Sequence, residues 1–268
     1  MSEAPYVLKE ARDGVVTLTL NRGERFNPLS SQMIAALQTH LDEVAEDPGS
    51  RVVVIKGAGR GFCAGHDLKE MRAHAGNDEA HQAWQRRLFD DCGRLMMTIT
   101  QLPQPVIAQV HGIATAAGCQ LVSMCDLAIA ADDARFALPG GHIGVFCSTP
   151  AVGVARNIGR KRVMEMLLTG DPIDARTALE WGLVNRAVPA AELDAEVARW
   201  CDKLLSKSPV VTALGKQAFY RQVEQPLQGA YAGSGDAMAC NLTLADAAEG
   251  MDAFLQKRSP KWQEPDRG

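Results

Sequence analysis

Short unbroken apolar runs alternate along this chain with stretches whose apolar residues recur at helical spacing. Residues 15–20, VVTLTL, alternate β-branched and aliphatic side chains and predict a strand. Asn27-Pro28 breaks the chain. From about Ser30, Met33, Ile34, Leu37, Leu41 and Val44 fall on one helical face, and Asp47-Pro48-Gly49 ends that helix. Residues 51–55, RVVVI, predict a second, buried strand, so strand–helix–strand alternation is established early.

A glycine-rich stretch, KGAGRGFCAGHDLKEM (56–71), follows the second strand. Its spacing is G-x-G-x-G and it lacks a G-K-[ST] ending, so it does not match a phosphate loop. It reads as a turn running into a helix near Asp67, with Asp67 as the cap. Residues 78–101 predict a long helix whose stripe of Trp84, Leu88, Cys92, Leu95, Met96 and Ile99 is core or subunit contact. Residues 105–130, PVIAQVHGIATAAGCQLVSMCDLAIA, hold an apolar run, a small-residue turn, a helix beginning near Ala116 and a second apolar run from Leu127. The first turn of such a helix points unpaired N–H groups and a positive dipole end outward. Small residues there serve equally for close helix–sheet packing or for close approach of a ligand.

Residues 136–150 read as a loop with an extended start, rich in glycine and small polar groups. From Ala151 the chain turns helical, with helices over 160–169 and from an Asp174 cap to Gly182, and a short strand at 183–188. Further helices are expected at 190–207, 210–223, 226–249 and 251–257. No linker or repeat intervenes, so residues 1–190 form a core and 191–268 a helical extension of one domain.

The remaining composition narrows the function classes. A chain of 268 residues suffices for one large α/β domain. Its net charge of −4 carries no basic patch, so no nucleic-acid partner is expected. No apolar run approaches the ~20 residues that span a bilayer. The N-terminal MSEAPYVLKEARDG lacks a secretory core and an Arg-rich presequence. Seven cysteines without a C-x-x-C pair predict reduced thiols, and a cytoplasmic location is expected. No His/Cys cluster has metal-ligand spacing, so no metal is expected.

Three stretches, GFCAGHDLKEM (61–71), 105–130 and MLLTGDPIDARTALEWGLVNRAV (166–188), resemble the enoyl-CoA hydratase/isomerase, or crotonase, superfamily. NRGERFNPLS and EGMDAFLQKRSPKW fit as well, so the resemblance covers nearly the whole chain. It implies an α/β spiral of ββα units with a C-terminal helical trimerisation region, assembled as a homotrimer or a dimer of trimers. The implied ligand is an acyl-CoA thioester, with coenzyme A entering as part of the substrate and no separate cofactor. Two backbone N–H groups would hold the thioester oxygen, and residue by residue these belong to His66 and Ala117. Ala64, Lys69 and Cys147 would line the substrate and CoA path, while Phe254 and Lys257 would reach the adenine from a neighbouring subunit.

The two glutamates of the family's hydratases match Gln120 and Gly140 here. A carboxamide takes up no proton at neutral pH and glycine offers no side chain, so hydration by that pair is in doubt. Three readings stay open: a lyase or isomerase on acyl-CoA with altered acid–base chemistry, an acyl-CoA-binding protein without catalysis, and a decarboxylase-like enzyme using His66. His142, Cys147, Ser148 and Thr149 lie close in sequence but show no base–orienter constellation for covalent catalysis. Glutamates restored at 120 and 140 would be expected to act as a unit, with strain if Gly140 has a positive φ.

Overall fold

The computed structural model describes residues 4–263. The first three residues of the N-terminal stretch considered above, and the last five of the helical extension, lie outside the described residues. In chain order the elements are β1 (Val7–Arg12), β2 (Val15–Leu20), α1 (Ser31–Glu46), β3 (Val52–Gly57), α2 (Leu68–Ala73), α3 (Glu79–Gln101), β4 (Val106–Val110), β5 (Ile113–Thr115) and α4 (Ala117–Met124). There follow β6 (Leu127–Ala131), β7 (Arg135–Ala137), α5 (Ser148–Asn157), α6 (Arg160–Thr169), β8 (Ile173–Asp174), α7 (Ala175–Trp181) and β9 (Arg186–Val188). The chain closes with α8 (Leu193–Leu205), α9 (Pro209–Gln222), α10 (Leu227–Leu242) and α11 (Ala245–Leu255).

Among the described residues, β1-β2-β3-β4-β6-β9 form a six-stranded sheet, antiparallel at β1–β2 and parallel thereafter. A second sheet, β5-β7-β8, runs beside it. Successive turns of chain place β4 then β5, and β6 then β7, in the two sheets, which is a spiral of ββα units. The unbroken apolar runs have a direct cause. Val53, Ile55, Val106 and Ala108 face one core, while Val52, Val54, Ile107 and Ile129 face another that Leu193, Val197 and Cys201 of α8 cover. Strands buried on both faces carry apolar residues at every position.

The helical periodicities hold. Met33, Ile34, Leu37, Leu41 and Val44 are all buried, and Ser30 caps α1 by accepting from Met33 N–H. Asp67, Asp78 and Asp174 cap α2, α3 and α7. Differences have physical reasons. β1 gave no apolar signal because, in VLKEAR at a sheet edge, only Val7 is buried. The three short strands of the second sheet lack length for periodicity to register. The helix expected over 226–249 is broken at Thr243 and Leu244, where the Thr243 hydroxyl donates back to the Cys240 carbonyl and Leu244 turns extended. The continuation is α11, which extends to Leu255.

Neither α9 nor α10 buries an apolar side chain fully within the chain, and Val210, Phe219, Leu227, Tyr231, Met238 and Leu242 lie on them exposed. Among the described residues, no helix is long and apolar enough to cross a membrane.

Candidate active site

The site begins at Asn27, which the sequence marks only as a chain break. Fully buried, its amide donates to the carbonyls of Ala58, Gly61 and Phe62 at 2.9, 2.9 and 3.1 Å, and its oxygen accepts from Arg22 N–H. The glycine-rich turn after β3 is thereby wrapped around one side chain and fixed. It then runs alongside β5: Cys63 N–H donates to the Ile113 carbonyl and Thr115 N–H to the Cys63 carbonyl. The Thr115 hydroxyl donates to the Ala64 carbonyl at 3.1 Å, and Ala64 N–H to that of Phe26.

These bonds deliver Gly65 against the start of α4. Gly65 has φ +94°, and a Cβ there would stand 2.9 Å from Ala116 Cβ and 3.3 Å from Ala117 N. The Gly65–His66 peptide and the Ala116–Ala117 peptide therefore lie side by side. Ala116 adopts φ 50°, ψ −120°, a region costly for any residue with a Cβ, and its N–H donates to the Ala137 carbonyl. Among the described residues, neither His66 N–H nor Ala117 N–H has an acceptor. Two adjacent free donors, one at the positive end of a helix, form a place for a partial negative charge.

The His66 ring is tied down beside them. Its Nδ1 lies 3.1 Å from the Leu29 carbonyl, and its ring meets Phe89 edge-on at 5.5 Å. Nε2 is buried and unpartnered. Burial holds the imidazole pKa below its ordinary value, only partly opposed by the Leu29 carbonyl and Glu70, so the ring is neutral. Gln120, one turn into α4, is 5% exposed, and its Oε1 is buried without a partner.

Gly140 and Cys147 form a second unit. Gly140 N–H donates to Cys147 Sγ at 3.3 Å, and Val145 N–H donates to the Gly140 carbonyl. Gly140 is not in the left-handed region, so the strain considered for a side chain there does not arise. Space is the obstacle instead: a Cβ would fall 2.0 Å from the Val145 carbonyl oxygen and 2.8 Å from Cys147 Sγ. Burial raises the Cys147 thiol pKa, and it pushes those of Cys63 and Cys119 up to about 12, which suits packing rather than nucleophilic roles. His142 donates from Nε2 to the Thr169 carbonyl at the end of α6. Ser148 and Thr149 are the first residues of α5.

Asp67 accepts from the N–H groups of Lys69 and Glu70 and pairs with Arg25 at 2.6 Å, so it orients the chain just past His66. Lys69 projects from α2 exposed. Phe254, 83% exposed, and Lys257 lie at the end of α11, which packs on α9 and α10. The structure thus brings Ala64, His66, Ala117 and Gln120 to one end of α4, couples Gly140 to Cys147, and leaves Phe254 and Lys257 on a separate surface.

Leu29 and Phe89 were not singled out from the sequence, and neither was a buried triad past the C-terminal end of α4. There Asp126, directly before β6, accepts from Lys216 Nζ at 2.6 Å, Tyr220 hydroxyl at 2.9 Å and Val106 N–H at 2.7 Å. Lys216 also donates to the carbonyls of Ile99 and Gln104. Burial raises the Asp126 pKa and lowers that of Lys216, each opposed by the partner's charge. A lysine between the apolar segments PVVTALG and AFY of α9, far along the chain, was the available signal.

The chain as a whole is similar to known proteins. A family described as enoyl-CoA hydratase/isomerase matches residues 10–265. Enoyl-CoA hydratase domain-containing protein 3, mitochondrial, of Xenopus laevis is 43% identical over 98% of this chain and 87% of its own length. The crystal structure of an enoyl-CoA hydratase from Mycobacterium smegmatis superposes with a TM-score of 0.92 at 50% identity, covering 97% of this chain and 99% of that one. That of human enoyl-CoA hydratase domain-containing protein 3 gives 0.91 at 43%, over 96% and 100%. One expectation is overturned. The frog, rat, mouse and human relatives are all named mitochondrial, so the cytoplasmic location read from cysteine usage and the N-terminal stretch does not stand. Reduced thiols are compatible with more than one intracellular compartment, and cysteine counting does not separate them.

Proposed function

This chain belongs to the enoyl-CoA hydratase/isomerase family, and from that premise we propose that it binds an acyl-CoA thioester and holds the thioester oxygen between His66 N–H and Ala117 N–H. The observation that carries this reading is the pairing of two acceptor-free backbone donors across Gly65. Charge moves onto the thioester oxygen as an enolate forms, and fixed donors favour that state over the neutral ground state. Losing one such donor typically costs about 10²–10³ in rate.

Gln120 and Gly140 stand where the family's hydratases place two glutamates, so the proposed activity keeps enolate stabilisation and lacks the pair that adds water. Lys69 is assigned to the CoA path. Phe254 and Lys257 are assigned to the adenine end of CoA bound to a neighbouring subunit, a role supported by the exposure of Phe254 on α11 and of Lys257 just past its end. The exposed apolar faces of α9 and α10 support self-association through the helical region from about residue 191, as a trimer or a dimer of trimers. Coenzyme A is part of the substrate, and no further cofactor is assigned.

Thermal unfolding in the presence of CoA and several acyl-CoAs tests the ligand. Binding to the folded state raises Tm by mass action, by about 2.7 kcal/mol of stability at a hundredfold excess over Kd. Unchanged melting at millimolar thioester rejects the assignment. Sedimentation at micromolar concentration tests the assembly, and a clean monomer rejects it.

A further inference from the structure

We infer that the acyl pocket reads a hydrogen-bond donor: the preferred thioester carries a hydroxyl or amide N–H on its acyl group, received by His66 Nε2 and Gln120 Oε1, and carries no carboxylate there. This rests on the acyl-CoA reading above and deepens it.

The polarity of His66 follows from its partner. A carbonyl oxygen only accepts, so Nδ1, 3.1 Å from the Leu29 carbonyl, is the protonated nitrogen. In the neutral ring Nε2 then presents a lone pair. That atom is buried and has no partner, and the ring cannot turn to satisfy it without releasing Leu29 and its edge contact with Phe89. Burial also disfavours the imidazolium, so Nε2 remains an acceptor near neutral pH.

Gln120 gives a second, independent acceptor. It is 5% exposed and its Oε1 is buried and unpartnered. It follows Ala117 by three residues on α4, and helical side chains tilt toward the N-terminus. The amide therefore leans over the same helix end that carries Ala117 N–H. Native interiors leave few buried acceptors unpaired, because each has given up water without replacement. Two at one helix end, beside two free donors for a thioester oxygen, are completed by a ligand that donates.

A saturated or simple enoyl chain leaves both lone pairs unmet. A carboxylate sets negative charge against them and would require a protonated His66, which burial opposes.

Titration calorimetry on the full chain compares butyryl-CoA, both enantiomers of 3-hydroxybutyryl-CoA, acetamidoacetyl-CoA and malonyl-CoA. We expect at least one donor-bearing thioester to bind about tenfold tighter than butyryl-CoA, the ratio given by one hydrogen bond of ordinary strength. Whether the hydroxyl or the amide leads identifies the donor. Malonyl-CoA is expected to bind no tighter than butyryl-CoA. Gln120→Met, of similar size, should shrink the ratio of donor-bearing to butyryl-CoA affinity to about twofold or less. Butyryl-CoA binding without a donor preference, or with malonyl-CoA tightest, overturns the inference alone. If no thioester binds, the acyl-CoA reading fails and the inference falls with it. Since the wild-type series carries the test, poor folding of Gln120→Met does not rescue the idea.

Discussion

Gly65 stands against Ala116 so closely that a methyl group on Gly65 would lie 2.9 Å from the Ala116 methyl and 3.3 Å from Ala117 N. This contact sets two peptide planes, distant in sequence, beside one another, and it leaves no room for any residue but glycine at 65. The substitution Gly65→Ala should therefore cost about 1–3 kcal/mol through overpacking, with further strain from φ +94°. It should also move His66 N–H away from Ala117 N–H. Urea denaturation and acyl-CoA binding measure the two effects, and thioester affinity within twofold of wild type would sink the proposed oxygen site.

Strain on the other side of the contact runs the opposite way. Ala116 at φ 50°, ψ −120° occupies a region that glycine adopts freely. Relief of about 1–3 kcal/mol is offset by about 0.4–1 kcal/mol of added unfolded-chain entropy. Ala116→Gly should thus raise stability by about 1 kcal/mol. A lower urea midpoint would show that the methyl contact matters more than the backbone.

Restoring two glutamates should not restore hydration. The wild type is expected to hydrate crotonyl-CoA about 10³-fold or more below a two-glutamate relative, since acid–base help is typically worth about 10²–10⁴. Gly140→Glu places its Cβ on the Val145 carbonyl oxygen, so it should destabilise by about 1–3 kcal/mol and displace the loop. The double variant Gln120→Glu/Gly140→Glu should consequently gain little over Gln120→Glu. Brisk hydration by the wild type, or a large synergistic gain in a stably folded double variant, would contradict this.

Lys216 clips α9 to the core through Asp126 and two carbonyls. Lys216→Met leaves the buried Asp126 carboxylate without its cation and should cost about 3–5 kcal/mol. Because α9 carries part of the face assigned to subunit contact, loss of stability should be accompanied by dissociation in sedimentation. An unchanged unfolding midpoint would refute the clip.

The His66 imidazole should stay neutral well below the usual histidine range. Its folded pKa is depressed by burial, so the unfolded chain takes up the proton first as pH falls. The contribution is fully present above about pH 6.5 and declines as pH drops below that value toward the folded pKa. Histidine-selective NMR titration reads the pKa directly, and a midpoint at or above 6.5 would defeat the prediction. His66→Gln should flatten the fall of Tm below about pH 6.5.

Sequence pattern alone determined the alternation of strands and helices, the buried face of α1 and α3, and the Asp67 and Asp174 caps. These are local matters: periodicity reports which side of an element meets the core, and a cap acts within one turn of its own helix. The resemblance carried by GHDLKEM and HGIATAAGC named the right family. Other features depend on contacts that no local pattern encodes. Tertiary structure decided that Asn27 holds the glycine-rich turn, that Lys216 seeks Asp126, and that the Val145 carbonyl fills the space beside Gly140. Each joins segments whose approach is fixed only when the sheet and helices have packed. So it is with His66 and Ala117: their sequence offers two ordinary peptides, and the pairing of Cys63 with β5 turns them into adjacent, acceptor-free N–H groups.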